Sequence, residues 1–334
     1  MTPPAPPPTD RTAQDLPVYL ADEVTVTNGV NFEDPMSFAD ELVLDDIYEV
    51  NKHATTRTLR VTAEGDALTI AKGGDMGTPG ALIAVDSAVT LMSPDGATLE
   101  ALVMVEVEDG DAVEVYVLPL AHMPPRTQYR LVGVDTDNPR RRFAEAACVA
   151  FTRGTHITLA SGEQRKIEDL EVGDRVLTRD DGPQEVRWIG QNTRRAVGDF
   201  APVLIRRGTL NNENDLIVSP DHRLFIYQRD DAIGAGRSEV LVKVRHLIND
   251  DTVVRLEGGF VDYFQLLFDS HQIIYAEGIA AESLLVDPRT RPALPEEVEA
   301  DMSAHIDRHH NAFEIEGTLL DGDAVEKLRK ASAR

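Results

Sequence analysis

Apolar and polar residues alternate in short runs along most of this 334-residue chain, the pattern of strands with one face buried and one wet. Between positions 18 and 135 such runs fall at 23–27, 41–50, 58–63, 67–70, 81–91, 99–107, 112–118 and 128–134, separated by turn residues. The clearest is VMVEVEDGDAVEVYV, in which Asp109-Gly110 divides two alternating arms and predicts a hairpin closed by a tight turn. Strands of this length and spacing predict a small β-sandwich or barrel. A second set, including RVLT, EVRWIG, PVLIRRG, DLIVSP, RLFIY, EVLVKV, YFQLLF and QIIYAEG, runs from Val149 to about Leu285. Turns are expected there at Ser161-Gly162, Gly173-Asp174 and 181–183, and Trp188 reads as core packing. Helical spacing comes only at 294–310 and 323–332, with acids early in the first and bases late in the second, as the helix dipole favours.

The expected organisation follows from these patterns. Residues 1–17 are a proline-rich, disordered leader and 18–135 an N-terminal, sandwich-like β module. The polar stretch 136–149 is a linker, 150–290 a second all-β domain, and 291–334 a helical tail. The expected fold class is therefore mainly β.

Composition narrows the function classes. The chain carries 58 acidic against 33 basic residues, a net charge of −25; such a surface repels nucleic acid, and no nucleic-acid partner is expected. No run approaches the ~18 apolar residues of a membrane span, so a soluble protein without one is expected. The first residues lack the basic and apolar regions of a Sec-type signal, which leaves the cytoplasm or a signal-less export route. The sole cysteine, Cys148, excludes an internal disulfide and any multi-cysteine metal site. His53 and His122 stand alone, and His156 and His246 offer no distinguishable role. His305 and His309 have i, i+4 spacing beside His310, but no carboxylate or cysteine pattern completes a ligand set, and neither metal nor organic cofactor is expected.

Three separated segments carry a resemblance. AFTRGTHITLASGEQRKIEDLEVGDRVLTRDDG spans 150–182, VSPDHRLF spans 218–225 and YFQLLFDSHQIIYAEGIAAES spans 263–283. Together and in this order they resemble the Hint (hedgehog/intein) autoprocessing domain, in its compact bacterial form. Members of that family open with Cys, often Phe, then two residues and Gly-Thr; Phe151, Gly154 and Thr155 fall into place, followed by Ile167 to Leu170, Gly173, Asp174 and Val176. Ser219 and His222 match a Thr-x-x-His block, and His271 matches a later motif histidine.

The resemblance implies a horseshoe-shaped all-β domain and self-cleavage by intramolecular acyl transfer. The first residue attacks the carbonyl before it, turning an amide into a thioester or ester. The block histidine protonates the departing nitrogen. Mapped here, the scissile bond is Val149–Ala150, His222 is the acid and Ser219 its helper. His271 either assists the second step or simply satisfies hydrogen bonds between strands, and Asp221 and Asp269 are candidates to orient the two histidines. The substrate is the chain's own N-terminal segment, released after water or a small nucleophile resolves the intermediate.

Two departures qualify this mapping. Alanine at 150 has no nucleophile, so either a parental Cys or Ser was replaced, trapping the precursor, or the nucleophile was lost naturally. Cys148 is displaced by two residues, ~7 Å along a strand, too far to substitute. Inteins also end on His-Asn, where this chain has Glu282-Ser283; its only His-Asn pair, His310-Asn311, lies at the end of an expected helix. Cleavage on the N-terminal side alone is expected. The rival reading is a non-catalytic binding or assembly protein built on a Hint scaffold; a conventional hydrolase using Ser219 and His222 lacks an oxyanion motif.

Overall fold

The computed structural model describes residues 13–64, 67–121, 123–196, 201–286, 290–295, 297–298, 313, 315, 320 and 323–332. Chain contacts divide it into two compact units, Met1–Ala147 with Asp287–Ala293, and Cys148–Val286 with Leu294–Arg334.

The first unit is built from β1 (Gln14–Leu20), β2 (Val24–Asn28), β3 (Ile47–Val50), β4 (Arg57–Glu64), β5 (Ala67–Ile70), β6 (Leu82–Met92), β7 (Thr98–Glu108), β8 (Asp111–Pro119) and β9 (Gln128–Asp135). Their order is β2-β3-β9-β6-β5-β4-β1-β8-β7, and β6 also pairs with β7. Six strands therefore return on themselves as a closed barrel, which removes the edges an open sheet would expose. Strand β6 makes this possible: Leu82 and Ile83 pair with β5, residues from Ala88 onward pair with β9, and a bulge between Val85 and Ser87 lies between the two stretches. Asp109 and Gly110 both have positive φ and join β7 to β8 in the expected hairpin, with Glu108 opposite Asp111. Tyr48 and Val50 of β3, Leu91 of β6, Val103 of β7 and Tyr129 and Leu131 of β9 share one buried cluster.

Three expectations change here. Residues 14–17 are part of β1, because Leu16 and Val18 bury their side chains fully; residues 1–12 of the expected leader lie outside the described residues. The expected linker carries a helix, α1 (Pro139–Ala147), opened by a proline whose fixed φ suits the first helical position and anchored by buried Phe143 and Ala144. The expected strand 41–50 is realised only as β3; Asp45 has φ +72°, which no strand accommodates.

The second unit contains β10 (Phe151–Thr152), β11 (His156–Thr158), β12 (Gln164–Lys166), β13 (Arg175–Thr178), β14 (Gly182–Glu185), β15 (Trp188–Arg195), β16 (Val203–Ile205) and β17 (Leu216–Val218), then β18 (Arg223–Tyr227), β19 (Glu239–Lys243), β20 (Val253–Arg255), β21 (Phe260–Leu267), β22 (Ile273–Ala276) and β23 (Ile279–Glu282). One sheet runs β15-β21-β10-β17-β16-β20, and another runs β12-β11-β22-β23-β18-β19 with β13 and β14 attached through β22. Phe151, Val218, Leu224, Val242, Phe264 and Ile274 meet in a single core that spans both sheets. Each such side chain contributes roughly 1.5–3 kcal/mol by leaving water. Trp188, expected in the core, is half-buried on β15 with its ring over Gly190. Near the C-terminus, α2 (Ala324–Ser332) places Val325 and Leu328 in this core; of the other expected helix, 294–310, residues 296 and 299–310 lie outside the described residues. No helix of the described residues is long and apolar enough to cross a membrane.

Candidate functional site

The site is built where β10 meets the turn between β17 and β18. Phe151 pairs with Val218 on one side and Phe264 on the other, so the antiparallel register brings Ala150, one step back, opposite Ser219, one step on. Ser-Pro-Asp-His then closes a four-residue turn, in which the Ser219 carbonyl accepts the His222 N–H at 3.0 Å. Pro220 supplies the fixed φ that the second turn position requires. The turn is held from outside as well. Arg245 N–H bonds Pro220 O at 2.8 Å and Val244 N–H bonds His222 O at 2.9 Å, while Arg245 Nη2 meets Asp221 at 2.6 Å.

A turn of this kind aims its first and last residues at the same point, which here is Ala150. The Ala150 N–H donates to Ser219 Oγ at 3.0 Å, and its carbonyl accepts the Ser219 N–H at 2.9 Å. His222 Nδ1 lies 3.2 Å from the same carbonyl. A carbonyl only accepts, so the imidazole must carry its proton on Nδ1 to bond there. Phe151 packs on that ring with centroids 4.4 Å apart. Ala150 is buried and His222 has no exposed surface. Burial pushes the His222 imidazole below its ordinary value of 6.5, reinforced by Arg223 and opposed by the Glu282 carboxylate and by the backbone of Ala150 and Glu282. His222 is a neutral donor at pH 7.

The chain leaves the site through a second turn. Thr155 N–H returns to Thr152 O at 3.2 Å, and Thr155 Oγ1 bonds the same carbonyl at 2.8 Å. Gly154 sits at φ +89°, a conformation L side chains avoid, and its N–H donates to Glu168 at 2.7 Å. Burial raises the Glu168 carboxyl, but that N–H, with Arg153 and Lys166, brings it below its usual range.

The model of one protein family, described as the Hint domain, matches residues 149–288, and that match begins one residue before the peptide just described. Residues 149–288 are a Hint domain. Over 92 residues the chain is 34% identical to the V-type proton ATPase catalytic subunit of Candida tropicalis, covering 26% of this chain and 8% of that protein. The chain thus spans a small fraction of that relative's length. Among solved structures it is similar to the gp41-1 intein, at 14% identity and a TM-score of 0.26, covering 40% of this chain and 97% of that one.

Within the Hint domain, Ala150, Phe151, Ser219 and His222 come together in contact, Val149 adjoins them along the chain, and Gly154 and Thr155 form the exit turn. His271 is fully buried, with Nε2 3.5 Å from Glu282 Oε2. Glu282 also binds Arg223, through the backbone N–H at 2.9 Å and Nε at 2.7 Å. Next to it, Ser283 and Gln272 exchange two hydrogen bonds of 2.9 and 2.8 Å. Asp221 pairs with Arg245, and Asp269 with Arg187 through both oxygens at 2.8 Å. Ser219 Oγ accepts the Ala150 N–H, while the His222 ring bonds a different atom, the Ala150 carbonyl. His156, without a role in the sequence, pairs at 2.9 Å with Glu277, whose carboxylate is buried in the tight turn between β22 and β23. The candidate metal histidines His305, His309 and His310 lie outside the described residues.

Glu282 and Arg223 are the members the sequence reading missed. Glu282 entered it only as the occupant of the place where inteins carry His-Asn. One signal was available: an acid inside the apolar strand IAAES needs a buried partner, and Arg223, in the equally apolar RLFIY, is the complementary charge.

Proposed function

We propose that this Hint domain is an autoprocessing unit whose reaction is intramolecular acyl transfer at Val149–Ala150, halted in this sequence because residue 150 has no nucleophile. The observation that carries the reading is the grip on residue 150. Its N–H is held by Ser219 and its carbonyl by Ser219 and His222, so both peptides flanking residue 150 are fixed in a water-poor pocket. Fixed geometry of this kind is what a near-attack arrangement requires.

With cysteine at 150, the thiolate would attack the Val149 carbonyl carbon. The C–N bond breaks, the nitrogen takes a proton to become the free amine of residue 150, and the Val149 acyl group rests on sulfur as a thioester. An external thiol or water then takes the acyl group and frees residues 1–149. His222, neutral and beside residue 150, is the group suited to move the proton. Ser219 is a poor nucleophile for the same bond: accepting the Ala150 N–H puts Oγ near the peptide plane, whereas attack on a carbonyl comes from above it. With Ala150 the chain keeps its N-terminal unit attached, and this favours the second reading, a Hint scaffold serving as a non-catalytic binding or assembly platform.

Hydroxylamine separates the two readings. Ala150→Cys protein incubated with hydroxylamine at neutral pH should yield a fragment ending in a Val149 hydroxamate, and the Ala150 chain should yield none. An Ala150→Cys protein as inert as the Ala150 chain would favour the scaffold.

A further inference from the structure

Two buried histidines of the Hint domain lie near one buried carboxylate, one beside it and the other next in sequence to its partner Arg223. Glu282, on β23, has no exposed surface. Its Oε1 accepts the backbone N–H of Arg223 at 2.9 Å; its Oε2 accepts Arg223 Nε at 2.7 Å and lies 2.5 Å from Nη2. The same Oε2 stands 3.5 Å from His271 Nε2. Arg223 directly follows His222, so the bond to its N–H fixes the backbone from which the His222 ring reaches Ala150. The carboxylate is charged: burial raises it, but the Arg223 guanidinium and His271 outweigh burial and hold it well below the carboxylate range.

We infer that Glu282 is the positioning residue of this site, holding the backbone beneath His222 and the ring of His271 to a single fixed charge. A buried ion pair by itself is weak support for a fold, because desolvation offsets most of its attraction and an apolar pair fills the same space at little loss. What an apolar pair cannot supply is orientation, and here the oriented groups are the two histidines the Hint resemblance singles out. The charged and titratable groups around Glu282 are Arg223 and His222 from the start of β18 and its turn, and His271 from the segment before β22; its partner across β22 is Ile273, and its chain neighbour is Ser283. The inference rests on the autoprocessing reading for what the histidines do, but not for where they are held.

The test compares histidine ring nitrogen signals by NMR in the unaltered chain, in Glu282→Gln and in a control at another buried carboxylate of the domain, Glu277→Gln. Glu282→Gln should move the signals of both His222 and His271, and Glu277→Gln only those of His156. In the Ala150→Cys background, Glu282→Gln should slow thiol-induced cleavage at least tenfold and change the shape of its pH profile, with Glu282→Asp restoring part of the rate. Ring signals unmoved by Glu282→Gln, or a pH profile of unchanged shape, would overturn the inference. If Ala150→Cys never cleaves, the autoprocessing reading fails while the ring signals still decide the role of Glu282. Should Glu282→Gln not fold, the neutral double variant Arg223→Met/Glu282→Gln allows the same comparison.

Discussion

His222 is buried without charge beside a buried carboxylate that keeps its charge, and acid acts on both. The imidazole titrates below its ordinary 6.5 in the folded domain, so the unfolded chain binds the proton first and stability falls as pH drops through that value toward the folded one. Glu282 is held below its ordinary 4.5; its contribution is complete above that value and is lost as pH falls further. Denaturant midpoints should therefore decline as pH falls below about 6.5, and His222→Gln should flatten that decline while leaving the steeper loss below about 4.5. An unaltered slope in His222→Gln would mean the histidine takes up its proton without penalty. Much of the grouping at this scale was legible in order along the chain: Phe151, Gly154, Thr155, Ser219 and His222 all stand in motifs. Glu282 was not, because its meaning depends on Arg223, 59 positions away, and only strand pairing brings the two together.

Turns, more than strands, aim the side chains of this site. Most strands of the first unit announced themselves by alternating apolar and polar residues, although β7 buries Ala101 to Glu106 on both faces, and Asp109-Gly110 was readable as a tight turn. Helix α1 was not, since its arginines resemble a solvated linker while Phe143 and Ala144 among them are buried. Strand β1 escaped notice because its first residues merge with the proline-rich leader. Gly154 offers a clean probe at this scale. A Cβ there would meet nothing within 4 Å, but φ is +89°, so Gly154→Ala should cost about 1–2 kcal/mol through backbone strain alone. Chemical denaturation would measure it, and a loss near zero would show that the exit turn relaxes into another conformation.

Across the whole molecule, the sequence pattern separated two β-rich regions, and the fold is all-β in both units with only short helices. Barrel closure in the first unit was beyond the pattern, because it depends on β6 pairing along its length with β7 and in part with β5 and β9, a long-range choice that alternation does not encode. Function at this scale turns on whether the Hint domain can release what precedes it. The direct measurement is intact mass of Ala150→Cys protein with and without dithiothreitol, beside the Ala150 chain and the Ala150→Cys/His222→Ala double variant. Thiol-accelerated appearance of a fragment ending at Val149, absent from the Ala150 chain and abolished by His222→Ala, is the predicted result. An Ala150→Cys protein that stays whole at every pH and thiol concentration, or one that cleaves equally well without His222, would contradict the account.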